Sequence, residues 1–549
     1  MQMELCVIIS KKDIKKHLKH FRMKRTLYTL AVAGALLLNA SCSSDYLDVQ
    51  QGSGLDKADV LSSTTSIAKA VNGMSKLMSM QYHVEGAGQT KKDNKYNGEG
   101  TIKTWYGNFL GNDYMRNNYT ALAFIVNGTK MQDPTALYDI YPWHYYYSII
   151  SNANNIIPAV DNASGDLYDK YFLKAEALTF RAYSYMMLVQ LYGDRWMNSD
   201  NGKTEAVVLR LTPSTDVLPV ASLADCYKQI YQDLDDAIEL YKKSGKDRKQ
   251  GCNYLPNINV AYATYARAAL NREDWATAAQ YAKLAREGYP LMSADEYVNG
   301  GFNQPNQEWI WSAYSDEQES LFYYQFFAYE GSNSPFSSFL SRPASISKEL
   351  YDRIPATDVR RGMFLDPKDD AYTASNNYGQ AALRARAINE YANKMYVDNG
   401  TLKSYVFAYM QYKHQAKYSP GVGELNIFRS SEMYLIEAEA YCHMGADREQ
   451  DARNLLVELN KTSGRDADYA CTKTGSDLLE EVRLYNRIEL WGEGHDWFNY
   501  KRWGLPIVRR TAAAGGNFPT AFAVTINPED NNGWKWIIPD GERDMFTNE

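Results

Sequence analysis

The sequence predicts a mainly α chain, in which helix hairpins support a loop-rich remainder. Two observations carry this. In Ile258–Pro290, Tyr262, Tyr265, Ala266, Ala269 and Leu270 fall on one helical face. Asn271–Asp274 turn the chain, and Trp275, Ala278, Tyr281, Ala282 and Ala285 form a second face before Pro290 ends the unit. Small residues stand where two helices must approach closely, which is a hairpin of tetratricopeptide type. Met433–Asn460 repeats the design: Tyr434, Ala438, Ala440 and Tyr441 precede Gly445, and Ala452, Leu455, Leu456 and Leu459 follow it.

Further helices are expected earlier in the chain, over Tyr141–Val160 and Tyr171–Tyr192. Another runs over Ser222–Lys243, where Ser222 and Asp225 form an N-cap pair. Long irregular stretches separate the helices: Gly86–Gly111, Asp194–Pro219, Leu291–Pro343 and Asp366–Gly423. Insertions of that length in a compact domain commonly carry function. The segment Asn486–Gly504 is the most distinctive. Leu484, Ile488 and Trp491 recur at helical spacing. Gly492 and Gly494 then stop the helix, because glycine tolerates the left-handed backbone of a C-cap. A cluster of aromatic and basic residues follows: Trp497, Phe498, Tyr500, Lys501, Arg502 and Trp503.

Composition narrows the function classes. The formal net charge of −7 argues against nucleic acid as a partner. Apart from Cys6 and Cys42, the cysteines are Cys226, Cys252, Cys442 and Cys471. They lack metal spacing and are expected to be free thiols. Histidine is scarce, at 7 residues, with no H-E-x-x-H pair. No phosphate-binding glycine loop and no G-x-S-x-G is present. No catalytic residue and no metal ligand is singled out, and no cofactor is expected, although a structural calcium is compatible with the sequence. With 44 Tyr, 11 Trp and 18 Phe, the chain is rich in rings that suit half-wet surfaces as well as helix packing.

The N-terminus reads as an export signal. Met23-Lys24-Arg25 precedes the apolar run Leu27–Leu38, then Asn39-Ala40-Ser41-Cys42. The run is too short to span a bilayer, which takes ~20 apolar residues. Cys42 looks like a bacterial lipoprotein acceptor, lipidated after cleavage. Residues 1–41 are therefore expected to be an upstream extension plus signal peptide, with Met23 the better initiator. Residues 42–549 would form one unit, with halves of about 42–250 and 251–549.

The segment Asn486–Gly504 resembles the C-terminal signature of the SusD/RagB family of outer-membrane glycan-binding lipoproteins. Arg487, Glu489, Leu490, Glu493, Gly494, His495, Trp497, Phe498, Lys501, Arg502, Trp503 and Gly504 match it. Asn499 departs from the usual Asp, and Asp496 stands where Arg is frequent. Arg181, Ala182, Tyr185, Leu188, Val189, Tyr192 and Gly193 resemble the mid-chain signature, and Ile538-Pro539 with Glu542 the terminal one. The resemblance implies four tetratricopeptide-like hairpins and a lipid-anchored, non-catalytic protein on the cell surface. It also implies an oligosaccharide ligand and a SusC-like TonB-dependent outer-membrane transporter as partner. Alternatives within reach of the sequence are a peptide-binding protein of the same architecture and a surface glycoside hydrolase.

A sugar needs an aromatic plane for its C–H face and amide or charged groups for its hydroxyls. Two stretches offer that mixture, in parts of the chain where the resemblance places ligand aromatics. Lys103–Arg116 carries Trp105, Tyr106, Asn108, Asn112, Asp113 and Arg116. Gln307–Tyr324 carries Trp309, Trp311, Tyr314, Asp316, Tyr323 and Tyr324. The ligand-binding candidates are Trp105, Tyr106, Asn108, Arg116, Trp309, Trp311 and Tyr314. Trp309 and Trp311 alternate, so a strand with its indoles turned to the core is the competing reading.

Overall fold

A computed structural model describes residues 60–84, 93–119, 122–315, 325–368 and 381–543. The principal helices are α1 (Thr64–Leu77), α2 (Leu137–Asn162), α3 (Leu167–Tyr192), α4 (Leu223–Ser244) and α5 (Ile258–Asn271). They continue as α6 (Trp275–Ala285), α7 (Ser430–His443), α8 (Glu449–Val457), α9 (Gly475–Glu489) and α10 (Asp496–Trp503). From α2 to α8 each helix packs on the next, so the hairpins form one continuous array; α9 packs on α7, and α1 on α2 and α3.

Local chemistry explains the boundaries. Ser222 Oγ accepts from the Asp225 N–H at 3.1 Å and starts α4. Asn257 Oδ1 accepts from the Val260 N–H at 3.2 Å and starts α5. Within the α5–α6 hairpin, alanines 261, 263, 266, 269, 278 and 282 are fully buried, so the helices meet nearly backbone to backbone. Tyr265 and Tyr281 stack across it at 4.0 Å. Trp275 of α6 stacks on His443 of α7 at 4.0 Å, tying the two sequence-legible hairpins together.

Strands are short and paired in twos. β1 (Tyr114–Arg116) runs antiparallel to β3 (Ala344–Ile346). β2 (Trp309–Ala313) runs antiparallel to β4 (Leu425–Arg429), with Ala313 opposite Leu425 and Trp309 opposite Arg429. The stretch Gly86–Gly111, read as irregular, contains an α-turn (Gly98–Thr101) and a π-helix (Ile102–Asn108), both wholly buried. Among the described residues no helix is long and apolar enough to cross a membrane. Cys226, Cys252, Cys442 and Cys471 are free thiols. Cys42 lies outside the described residues.

Candidate functional site

The signature segment is a structural joint. Glu489 and Glu493 are buried, and burial alone would raise both carboxyls. Cations outweigh it and hold both far below the ordinary range: Arg465, Arg429 and Arg360 around Glu489, Arg429 and Lys413 around Glu493. Arg429 reaches Glu308 and Glu489 at 2.6 Å and Glu493 at 2.7 Å. Arg465 bridges Glu308 and Glu489 at 3.0 and 3.1 Å, and Arg360 bridges Asp358 and Glu489 at 2.6 and 2.7 Å. Lys413 meets Glu493 at 2.6 Å, while burial pushes its amine down to about 8. Four cations thus face four carboxylates, which lets charge sit in the interior.

The same segment clasps the N-terminal half. Arg487 pairs with Asp113 at 2.6 Å, and the Trp491 indole donates to Asp113 O at 2.9 Å. Lys103 donates to Glu493 O at 2.8 Å, and Lys501 to Gln190 O and Gly193 O at 2.7 and 2.8 Å. Gly494 has a φ of +85°, and a Cβ there would lie 2.6 Å from Lys103 Cα. Glycine is required at that position by conformation and by space.

The first candidate stretch is consumed by this joint. Trp105 is 2 % exposed and meets Tyr96 and Tyr138 edge-on at 5.5 and 6.1 Å. Tyr106, fully buried, donates to Tyr138 O and packs on Trp536. Asn108 donates to Gly492 O at 2.8 Å and accepts from the Gly494 N–H at 2.9 Å. Asn112 accepts from the Val508 N–H at 2.7 Å. Arg116, fully buried, bonds Tyr114, Arg342 O and Glu330, and stacks over Tyr329 at 4.5 Å.

In the second stretch Trp309 and Trp311 are fully buried in β2, and their indoles donate to Gly301 O and Tyr254 O, each at 3.1 Å. Against the expectation of ligand contact, these rings, Asn108 and Arg116 present no open face; aromatic, amide and charged groups mixed together also describe a satisfied polar core. Tyr314 is half-buried against Tyr254 at 5.1 Å. Asp316, Tyr323 and Tyr324 lie outside the described residues.

One open cleft forms beside the described end of the second stretch. Met78 and Ser79 follow α1 on one side, Asn97 and Gly100 lead into the buried π-helix, and Ala313 ends β2 with Ser315 just beyond it. Gln325, Phe326 and Phe327 form the opposite wall, with Gly421 and Gly423 beside it. The void is about 320 Å³ including its open mouth. Asn97 is fixed by donating to Ser79 O at 2.8 Å. Gln325 is 8 % exposed, and its Oε1 has no hydrogen-bond partner. Tyr418, on the same turn as Gly421, is 45 % exposed. Gln325 and Tyr418 fell outside both candidate lists; Tyr418 carried the aromatic signal, whereas nothing in the sequence distinguishes Gln325 from any other glutamine.

A second void, about 610 Å³ including open solvent, lies among α3, α5, α7 and the joint. Several of its polar groups are already engaged. Glu99 accepts from Tyr145, Tyr146 and Tyr183 at 3.2, 3.0 and 3.0 Å, and burial raises its pKa. Arg267 pairs with Glu432 at 2.7 Å, and Arg502 with Glu439 at 2.9 Å. Such a chamber suits a few ordered waters.

A family model described as starch-binding associating with outer membrane matches residues 45–270, and the model of the SusD family matches residues 258–542. Among solved structures, a SusD-like carbohydrate binding protein from Bacteroides vulgatus is 20 % identical with a TM-score of 0.69; the match covers 88 % of this chain and 97 % of that one. A SusD superfamily protein from Bacteroides thetaiotaomicron is 21 % identical with a TM-score of 0.67, covering 88 % and 98 %. Surface glycan-binding protein A from Bacteroides fluxus is 16 % identical with a TM-score of 0.61, covering 88 % and 97 %. At these identities the likeness establishes the fold. No protein of curated function matches the chain.

Proposed function

The chain belongs to the SusD family, and on that premise we propose that it captures oligosaccharide at the cell surface and passes it to an outer-membrane transporter. The observation that carries the reading is the cleft between α1, the end of β2 and Gln325–Phe327. It offers amide and hydroxyl groups against an apolar wall, with an exposed ring, Tyr418, on the adjoining turn. That is the chemistry a sugar needs for its rim and its C–H face. No carboxylate or histidine lines the cleft among the described residues, and glycoside hydrolysis takes two carboxyls across the bond. The reading is therefore of capture without cleavage and without a metal.

Attachment would come from lipid on Cys42, since two or three acyl chains hold a protein stably on a membrane. Mass spectrometry of the mature N-terminus should find an acylated cysteine; an unmodified chain beginning at Ser43 would contradict it. The partner is proposed to be a TonB-dependent barrel that supplies the energy for uptake.

Binding is expected to be weak, on the order of micromolar to millimolar, because a shallow site gains from few planes and must desolvate hydroxyls. The test is native electrophoresis of the mature protein through gels containing soluble polysaccharides, beside peptide mixtures in solution. Retardation by a polysaccharide without new reducing ends supports the proposal. Peptide binding alone, or release of reducing ends, overturns it.

A further inference from the structure

The cleft carries no charge in its described lining. Its polar lining consists of Ser79, Asn97, Ser315 and Gln325, and among the described residues no charged side chain joins them. Glu424 stands between the lining residues Gly423 and Leu425, yet its carboxylate accepts from Ser312 Oγ at 2.8 Å, and neither Glu424 nor Ser312 lines the cleft. A carboxylate or sulfate entering the cleft would shed water with no cation in the described lining to meet it, since Lys417 stands outside, its Nζ 5.0 Å from the centre of the Tyr418 ring.

Gln325 gives the cleft its sense of direction. At 8 % exposure its side chain is more than nine-tenths buried, and its Oε1 is without a partner. It occupies the N-cap position of the helix Phe326–Glu330, but its side chain makes no capping bond there. Helix capping therefore does not account for it. Buried amide groups are ordinarily paired, because leaving one unpaired is costly. A sugar hydroxyl can donate to that oxygen and complete it.

We propose that Gln325 is a specificity-determining residue of a site for neutral sugars, its amide receiving a ring hydroxyl while the uncharged cleft turns away uronic and sulfated residues. The proposal rests on the glycan-binding reading above. A site that buries an unpaired polar group discriminates strongly against any ligand that leaves it unpaired.

The test uses the full mature chain on native gels. The probes are soluble amylopectin and galactomannan as neutral polymers, and polygalacturonate and chondroitin sulfate as acidic ones. Wild-type protein should be retarded by a neutral polymer and by neither acidic one. Gln325→Met should lose at least tenfold in affinity while its melting temperature stays level or rises, since a buried unpaired group has been removed. Gln325→Asn keeps the amide but shortens its reach, and should fall between. If Gln325→Met does not fold, the Asn variant decides. Native affinity in the folded Met variant, or in Asn where Met does not fold, overturns the proposal alone, as does equal retardation by acidic polymers. Binding and melting temperature falling together would assign Gln325 to structure. A wild-type protein retarded by no polysaccharide overturns this proposal and the reading beneath it.

Discussion

The joint around Glu489 and the cleft around Gln325 are both built from buried polar groups, and they differ in who satisfies them. At the joint, Arg360, Arg429, Arg465 and Lys413 meet Asp358, Glu308, Glu489 and Glu493 within 2.6 to 3.1 Å. Nothing is left for an outside molecule. In the cleft, Gln325 Oε1 has no partner within the protein. A closed network positions the chain, and an unpaired group is what the proposed ligand would complete. The longest motif in the sequence therefore belongs to architecture, and the proposed binding surface falls on residues with no motif.

The comparison breaks first at the joint. Glu489→Ala would leave Arg360, Arg429 and Arg465 short of a carboxylate, and losing one member of a buried ion network costs ~3–5 kcal/mol. Chemical denaturation should show a loss of that size; a loss below ~1 kcal/mol would mean that the network is not structural. The sign with pH follows. Glu489 is held below its ordinary value of 4.5, against its burial, by the three guanidiniums. Its contribution is complete above that pH and fades as pH falls through and below it. The variant should lack that acid-side loss.

Trp311→Ala would empty a fully buried site beside Tyr183 and Phe428, costing ~3–5 kcal/mol. Any fall in glycan binding should track the fall in melting temperature. Binding lost at native stability would restore Trp311 to the ligand site.

Gly494→Ala tests the close approach of the two halves. With φ at +85° and Lys103 in the way, strain and overpacking should cost ~1–3 kcal/mol. An unchanged melting temperature would show that the halves part easily there.

The smallest expected effect is a gain. Glu176 is buried, and one of its oxygens lacks a partner. Burial pushes its carboxyl well above 4.5, although Arg248 pulls the other way. A raised carboxyl destabilises the fold as pH climbs past its unfolded value. Glu176→Gln should therefore melt higher than wild type at pH 8 and show a smaller advantage at pH 5. A variant that melts lower at pH 8 would contradict this.

The hairpins were legible because helical period and small residues act locally. Ala266, Ala269, Ala278 and Ala282 are all buried within one short unit, and Ser222 finds Asp225 three residues away. The joint was legible as a motif but not as a network, since Arg360 and Arg429 meet Glu489 only after the chain has folded. Trp105 is buried in spite of its polar neighbours, because Lys103 and Asn108 bond the backbone of Glu493, Gly492 and Gly494. Trp309 and Trp311 fitted two readings, and burial selected the core. Gln325 could not be found by pattern, because its surroundings come from residues 79, 97, 315 and 421.

The measurement that bears most directly on the account is amide hydrogen exchange with and without an oligosaccharide cut from whichever polysaccharide retards the protein. The account predicts added protection around Asn97–Gly100, Gln325–Phe327 and Gly421–Gly423, with Trp105–Asn108 and Trp309–Trp311 already slow and unchanged. Protection gained at those buried aromatics while the cleft stays unchanged would contradict it.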